Sequence, residues 1–236
     1  MKLTKITFTG IDEKTDLTRL SKIQQDFPYA EFGVLLSYDW RDNGCRFPDP
    51  EFLNTLIPLR LNLSAHFCGQ LALDIASGKI FKLEELLGSY GKLFRRCQFN
   101  LKAAGMFSVL RTLKGVPFIR EAIIQMHSPE LLEQFLHGQI PANTSYLLDA
   151  SGGTGTDTPI QVVASSGIHI GYAGGIGPEN VESKLRTLLE YHFESKFWID
   201  METRVRNVRN DGEWLDLDKV EKVLSICDPI IKAYNK

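Results

Sequence analysis

The sequence predicts an α/β fold: a single-domain (β/α)8 TIM barrel, in which eight parallel strands alternate with helices. Three observations carry that expectation. Short apolar or alternating runs recur along the whole chain, and segments of helical periodicity separate them. A chain of 236 residues is close to the usual size of one such barrel. No low-complexity linker or change of composition marks a boundary, so residues 1–236 are expected to form one domain.

The expected strands are Lys5–Thr9, Phe32–Leu36, Leu59–Leu63, Gln98–Leu101, Ala122–Met126, Tyr146–Leu148, Ile168–Tyr172 and Phe197–Met201. Leu17, Leu20, Ile23 and Phe27 fall near one face of a first helix. Two helical stretches, Gly69–Ser77 and Leu83–Phe94, share one unit between Ser64 and Gly115, where the alternation is least regular. Ser128, Pro129 and Glu130 read as an N-cap, a first-position proline and an acidic first turn opening a helix over Leu131–Leu136. Thr158 and Pro159 repeat the device before a short helix. Pro178 and Glu179 do so again, ahead of a stripe of Val181, Leu185, Leu188 and Leu189. The last helix begins near Asp216 or Asp218 and carries Val220, Val223, Leu224 and Ile226. Strand and helix in strict alternation favour a closed parallel barrel over an open sheet.

Composition narrows the class of partner. Hydrophobic residues make up 43%, enough for a large core, and the formal net charge is −2. That charge argues against a nucleic-acid partner, which selects for a basic excess. No apolar stretch is long enough to span a bilayer, and Ile6–Gly10 follows Met1 too closely to leave room for a signal peptide. A cytoplasmic protein with no membrane partner is expected. Cys45, Cys68, Cys97 and Cys227 lie far apart, so neither a zinc site nor a disulfide framework is indicated.

In a barrel the C-terminal strand ends share one mouth, where function sits. The polar residues expected there are Thr7, Thr9, Ser37, Asp39, Asn62, Ser64, His66, Gln98, Asn100, Gln125, His127, Asp149, Tyr172, Asp200 and Glu202. Two glycine loops stand out. Asp149 leads into Gly152, Gly153 and Gly155, and Tyr172 leads into Gly174 and Gly175. Glycine removes the Cβ and helix N-termini present N–H groups, so paired loops of this kind suit close approach to an anion. His66 and His127 could serve in acid–base work or as ligands, but no second carboxylate at convincing spacing points to a metal. Trp40, Trp198 and Trp214 need no special role.

At these residues the chain resembles the phosphoribosylanthranilate isomerase family. Leu147-Leu148-Asp149, Gly152-Gly153-Thr154-Gly155 and Ala173-Gly174-Gly175-Ile176-Gly177-Pro178-Glu179-Asn180-Val181 are close to its sixth and seventh units. Ile199-Asp200-Met201-Glu202-Thr203-Arg204-Val205 keeps the frame of the eighth with different chemistry. Phe8-Thr9-Gly10-Ile11-Asp12 and Cys45-Arg46-Phe47-Pro48 are similar to the first and second, and Gly212 with Leu217-Asp218-Lys219-Val220 echoes a downstream element. The likeness does not extend over residues 50–140.

The resemblance implies an Amadori-type aldose–ketose rearrangement of a phosphorylated sugar or aminosugar, in the manner of tryptophan biosynthesis, without metal or organic cofactor. Asp149 would be the general acid, which must hold a proton near neutral pH and so calls for burial or a nearby negative charge. Thr9 stands where the family has its cysteine base, and a hydroxyl has no useful basicity there; Asp12 is a candidate replacement. Gly153, Gly155, Gly174, Gly175, Thr203 and Arg204 would hold the phosphate, and Arg46 the substrate carboxylate, with Arg41 competing. A monomer or homodimer is implied. Two other readings stand beside this one. The first is an epimerase or lyase using His66 or His127 on a related phosphate ester. The second is a barrel that binds a phosphorylated ligand without turnover.

Overall fold

The computed structural model describes residues 2–38, 47–101, 108–109, 111–112, 119–136, 141–163, 167–192, 195–209 and 212–234. Among them eight strands close a parallel barrel in chain order: β1 (Leu3–Thr9), β2 (Ala30–Leu36), β3 (Leu63–Phe67), β4 (Phe94–Phe99), β5 (Glu121–Met126), β6 (Thr144–Asp149), β7 (Ile170–Ala173) and β8 (Phe197–Met201). β8 returns to β1 with Trp198 beside Lys5 and Asp200 beside Thr7. The helices are α1 (Leu17–Asp26), α2 (Pro50–Leu56), α3 (Gly69–Ala76), α4 (Phe81–Tyr90), α5 (Pro129–Leu136), α6 (Val181–Tyr191) and α7 (Leu217–Tyr234). The chain is a (β/α)8 barrel.

Local chemistry starts the helices where the sequence placed two of them. Asp16 caps α1 by accepting from the amides of Thr18 and Arg19, both at 3.0 Å. Ser128 Oγ accepts from Leu131 N at 3.2 Å and opens α5. The apolar faces then meet the outer face of the strands. Leu20 and Ile23 of α1, Leu185 and Leu188 of α6, and Val220, Val223 and Leu224 of α7 join Ile6, Phe8, Phe32 and Val34 in one continuous core. Arg19 bridges α1 to α7 through Asp218 and Glu221, each at 2.6 Å, a surface contact that fixes geometry more than it adds stability.

The barrel interior is a second, largely polar core, because side chains alternate across each strand. Its floor is an ion-paired cluster. Arg96 donates to Glu31 at 2.8 Å and to Glu121 at 3.2 Å, and its guanidinium lies 4.1 Å from the centre of the Trp198 ring. Thr7 also donates to Glu31, and Ser145 to Glu121. Burial opposes the charge on Glu121, but His169, Arg96 and Ser145 outweigh it and hold the carboxyl down at about 2. A small apolar layer of Ile123, Leu147 and Trp198 lies inside the barrel with this cluster. Gly171 makes room for the indole: a Cβ there would lie 2.1 Å from Trp198 Cε2. Gly171→Ala should therefore destabilise the fold by about 1–3 kcal/mol through overpacking, measured by urea unfolding.

Four features differ from the sequence expectation. The third strand is Leu63–Phe67 rather than Leu59–Leu63, because Ile57–Leu59 forms a 3-10 turn and Arg60 follows it in left-handed geometry, φ +53°. The fourth runs from Phe94 to Phe99 rather than from Gln98 to Leu101, since Arg96 is neutralised inside the barrel and belongs to the strand. Residues 158–163 carry no helix, although Thr158 and Pro159 suggested one. After β8 a short antiparallel hairpin appears, β9 (Arg206–Arg209) with β10 (Gly212–Leu215).

Candidate active site

The C-terminal strand ends surround a cavity of about 340 Å³. Its lining comes from all eight strands or the loops that leave them, including Thr9, Leu35, His66, Gln98, Asp149 and Asp200. Two carboxyl groups in it have opposite surroundings.

Asp149 ends β6 and is saturated with donors. Its Oδ1 accepts from Ser151 N at 3.0 Å and Ser151 Oγ at 2.7 Å. Its Oδ2 accepts from Gln125 Nε2 at 2.8 Å and Gly153 N at 2.7 Å. Four donors around one carboxyl form the pattern of a group that accepts rather than donates.

Asp200, on β8, accepts at Oδ1 from Thr9 Oγ1 at 3.0 Å. It is 5% exposed. Burial raises its pKa to about 8, helped by the charges of Glu202 and Glu31 and opposed by Thr9 and Arg96. At neutral pH this carboxyl holds its proton inside the cavity. Beside it, Gly33 lets Thr9 and His66 lean together across β2: a Cβ there would lie 2.6 Å from Thr9 Oγ1 and 2.9 Å from His66 Nε2. His66 is buried and its Nε2 contacts Ser64 Oγ at 2.9 Å. Burial, with the charge of Arg96, lowers its pKa to about 3, so the ring is neutral.

The other side of the mouth is a glycine-lined rim. Gly174 and Gly175 adopt φ of +111° and +62°, and a Cβ on Gly175 would lie 2.5 Å from the carbonyl oxygen of Thr156. Gly155 abuts Thr203 in the same way. Lys184, reaching up from α6, ties the loops together: its Nζ donates to Gly174 O at 2.9 Å and Thr158 O at 2.8 Å and pairs with Asp157 at 2.7 Å. Arg204 lines the cavity, half-buried, close enough to Asp157 for its charge to help Lys184 hold that carboxyl below its usual range. Among those residues no group of three or more His, Cys, Asp or Glu is placed to hold a metal ion.

No protein-family model matches the chain, and no curated protein matches it. Solved structures do. A xylose isomerase domain protein from Planctomyces limnophilus aligns with a TM-score of 0.54 at 10% identity, over 100% of this chain and 99% of that one. L-talarate/galactarate dehydratase from Salmonella typhimurium LT2 aligns with a TM-score of 0.50 at 11% identity, over 91% of this chain and 53% of that one. The chain thus spans about half the length of the dehydratase. The likeness is one of fold.

Of the residues singled out from sequence, Thr9, Asp149, Gly153, Gly155, Gly174, Gly175, Thr203 and Arg204 all line this cavity. Gly153 does so with its amide already committed to Asp149, which leaves it no N–H for an anion. Asp12 is different. It does not line the cavity; its Oδ1 accepts from Lys14 N at 3.0 Å and Thr15 Oγ1 at 3.3 Å, and Arg206 lies 3.8 Å from Oδ2. Burial raises its pKa to about 6, but the group shapes the turn after β1. Arg46, Arg41 and Asp39 lie outside the described residues. Further strand-end assignments need correction: Thr7 lies in the floor, donating to Glu31, and Ser37 and Ser64 do not line the cavity. Tyr172 faces the helices, with its hydroxyl 2.7 Å from His192 Nε2, and Asn62 precedes β3 and binds the Pro28 and Ala30 carbonyls. The α6 helix begins at Val181, three residues beyond Pro178, because Asn180 Oδ1 accepts from Gly177 N and closes a turn first. Asp200 was visible from sequence only as one polar strand end among many. Its burial is what distinguishes it.

Proposed function

We propose that the chain is an enzyme that isomerises a small phosphorylated sugar or aminosugar by proton transfer, in the Amadori manner of the phosphoribosylanthranilate isomerases. One observation carries the reading: a single cavity holds a carboxyl that keeps its proton at neutral pH, Asp200, and a carboxyl built to accept, Asp149. Separated environments of this kind are how one site supplies both an acid and a base.

The roles follow from those surroundings. Asp200 gives its proton to the ring oxygen, the ring opens to an iminium, Gln125 Nε2 releases Asp149 Oδ2, and that oxygen takes the C2 proton to leave an enolamine that becomes the ketose. This exchanges the assignment that the family resemblance implies for Asp149. Thr9 is a positioning residue, since its hydroxyl donates to Asp200 and cannot act as the base. Arg204 and the backbone of Gly174 and Gly175 hold the anion, with Thr203 beside them. Gly155 contributes shape by letting Thr203 pack against its loop.

Incubation in D2O with ribose 5-phosphate and with N-(5-phosphoribosyl)anthranilate tests this. Deuterium at C2, or ketose product, is expected for at least one of them. Arg204→Met should raise KM about 10- to 100-fold with a smaller effect on kcat, the value of one charge-assisted anion contact. No exchange and no product with either compound would refute the proposed chemistry.

A further inference from the structure

The wall of the cavity formed by β3, β4 and β5 carries a hydrogen-bond chain with a direction. Cys68, at the end of β3, donates its S–H to the His66 carbonyl at 3.6 Å. Its Sγ accepts from Asn100 Nδ2 at 3.3 Å, and Asn100 Oδ1 accepts from Gln98 Nε2 at 2.9 Å. A carbonyl can only accept, so the far end of the chain fixes each amide in turn and leaves Gln98 Oε1 as the remaining acceptor. Gln98 is 3% exposed, and that oxygen finds no partner among the described residues.

His127 repeats the situation one strand along. Its Nε2 lies 3.3 Å from the Leu101 carbonyl, which again can only accept. The proton is therefore on Nε2, and in the neutral imidazole Nδ1 is an acceptor. It too is buried without a partner among the described residues. Both residues line the cavity, as do Cys68 and Asn100. Both atoms are covered, so a side-chain turn toward the cavity must accompany their pairing with a ligand. Native proteins rarely leave buried polar atoms unmet, and two acceptors left beside one wall of a cavity mark where a ligand supplies donors.

We propose that this wall is a polyol subsite, at which Gln98 Oε1 and His127 Nδ1 accept from hydroxyl or amine groups on the end of the substrate remote from its anion. The inference rests on the proposed function for the anion at Arg204. It narrows the substrate to one with two donors at its other end. A carboxylate or a bare hydrocarbon would leave both acceptors unmet.

Titration calorimetry with ribose 5-phosphate and with n-pentyl phosphate, which carries the anion without the hydroxyls, tests it. The native protein should prefer the sugar by about 30-fold or more, because a site built to hydrogen-bond a hydroxyl penalises its loss. Gln98→Met and His127→Phe should each cut that preference about 5- to 10-fold, and together abolish it, with pentyl phosphate affinity unchanged within about 2-fold. His127 lies beyond the end of β5 and gives an independent reading if Gln98→Met does not fold. Equal affinity for the two ligands, or a preference untouched by both substitutions, would overturn the subsite. Binding of ribitol alone, lost on Gln98→Met, together with failure of both phosphates, would uphold the subsite and remove the anion site. Failure of all three probes would remove both.

Discussion

Asp200→Asn is expected to abolish turnover while making the protein more stable at high pH. Loss of a general acid typically costs about 10²- to 10⁴-fold in rate. The stability effect follows from proton linkage. The folded carboxyl titrates near 8, well above the roughly 3.9 of an unfolded aspartate. Between those values the folded state binds the extra proton, so stability falls as pH rises through that window and levels off above it. The full span is on the order of 5 kcal/mol. Asparagine has the same shape, does not ionise, and still offers Thr9 an oxygen. Unfolding at pH 5, 7 and 9 should show the variant gaining steadily on the native protein. Asp12 contributes a slope of the same sign, since its pKa is also raised, but it is common to both proteins and cancels.

Arg96→Met should destabilise the barrel by about 3–5 kcal/mol. The substitution strips Glu31 of its counter-ion in a place where Glu31 is 1% exposed, and an uncompensated buried charge costs far more than the intact pair contributes. Glu121 suffers less, because Ser145 and His169 remain. Urea unfolding of the single variant and of Arg96→Met with Glu31→Gln separates the two effects. The double variant should recover part of the loss. Simple addition of the two single losses would mean that the pair is not coupled. The floor also reaches the site, because Arg96 is one of the charges that lowers the Asp200 pKa. Its removal should push that pKa higher still.

The contrast between floor and mouth explains what the sequence could and could not disclose. The outer face of each strand is apolar, and its alternation with helical stripes was enough to predict the closed barrel. The inner face is polar, and there the reading slipped. Ser64 and His66 break the apolar run that would mark β3, so the expectation settled on Leu59–Leu63, of which Leu59 ends a 3-10 turn and only Leu63 belongs to the strand. Arg96 fell between the helix expected to end at Phe94 and the strand expected from Gln98, because its partners Glu31 and Glu121 are 65 and 25 residues away. Asp12 illustrates the same limit at the site. From sequence it is an acidic residue beside the first strand; its ties to Thr15 and to Arg206 turn it away from the cavity. The glycine loops were legible because glycine at positive φ is a local requirement. The state of Asp200 was not, because a carboxyl acquires its pKa from burial, and burial is a property of all eight strands together.

The most direct measurement is a ¹³C NMR titration of aspartate side-chain carboxyls, recorded for the native protein and for Asp200→Asn. One resonance should titrate with a midpoint near 8, be absent from the variant, and move to higher pH when inorganic phosphate adds negative charge to the mouth. A spectrum in which the resonance lost from the variant titrates near 4 would mean that Asp200 is already ionised at neutral pH, leaving the cavity without its acid.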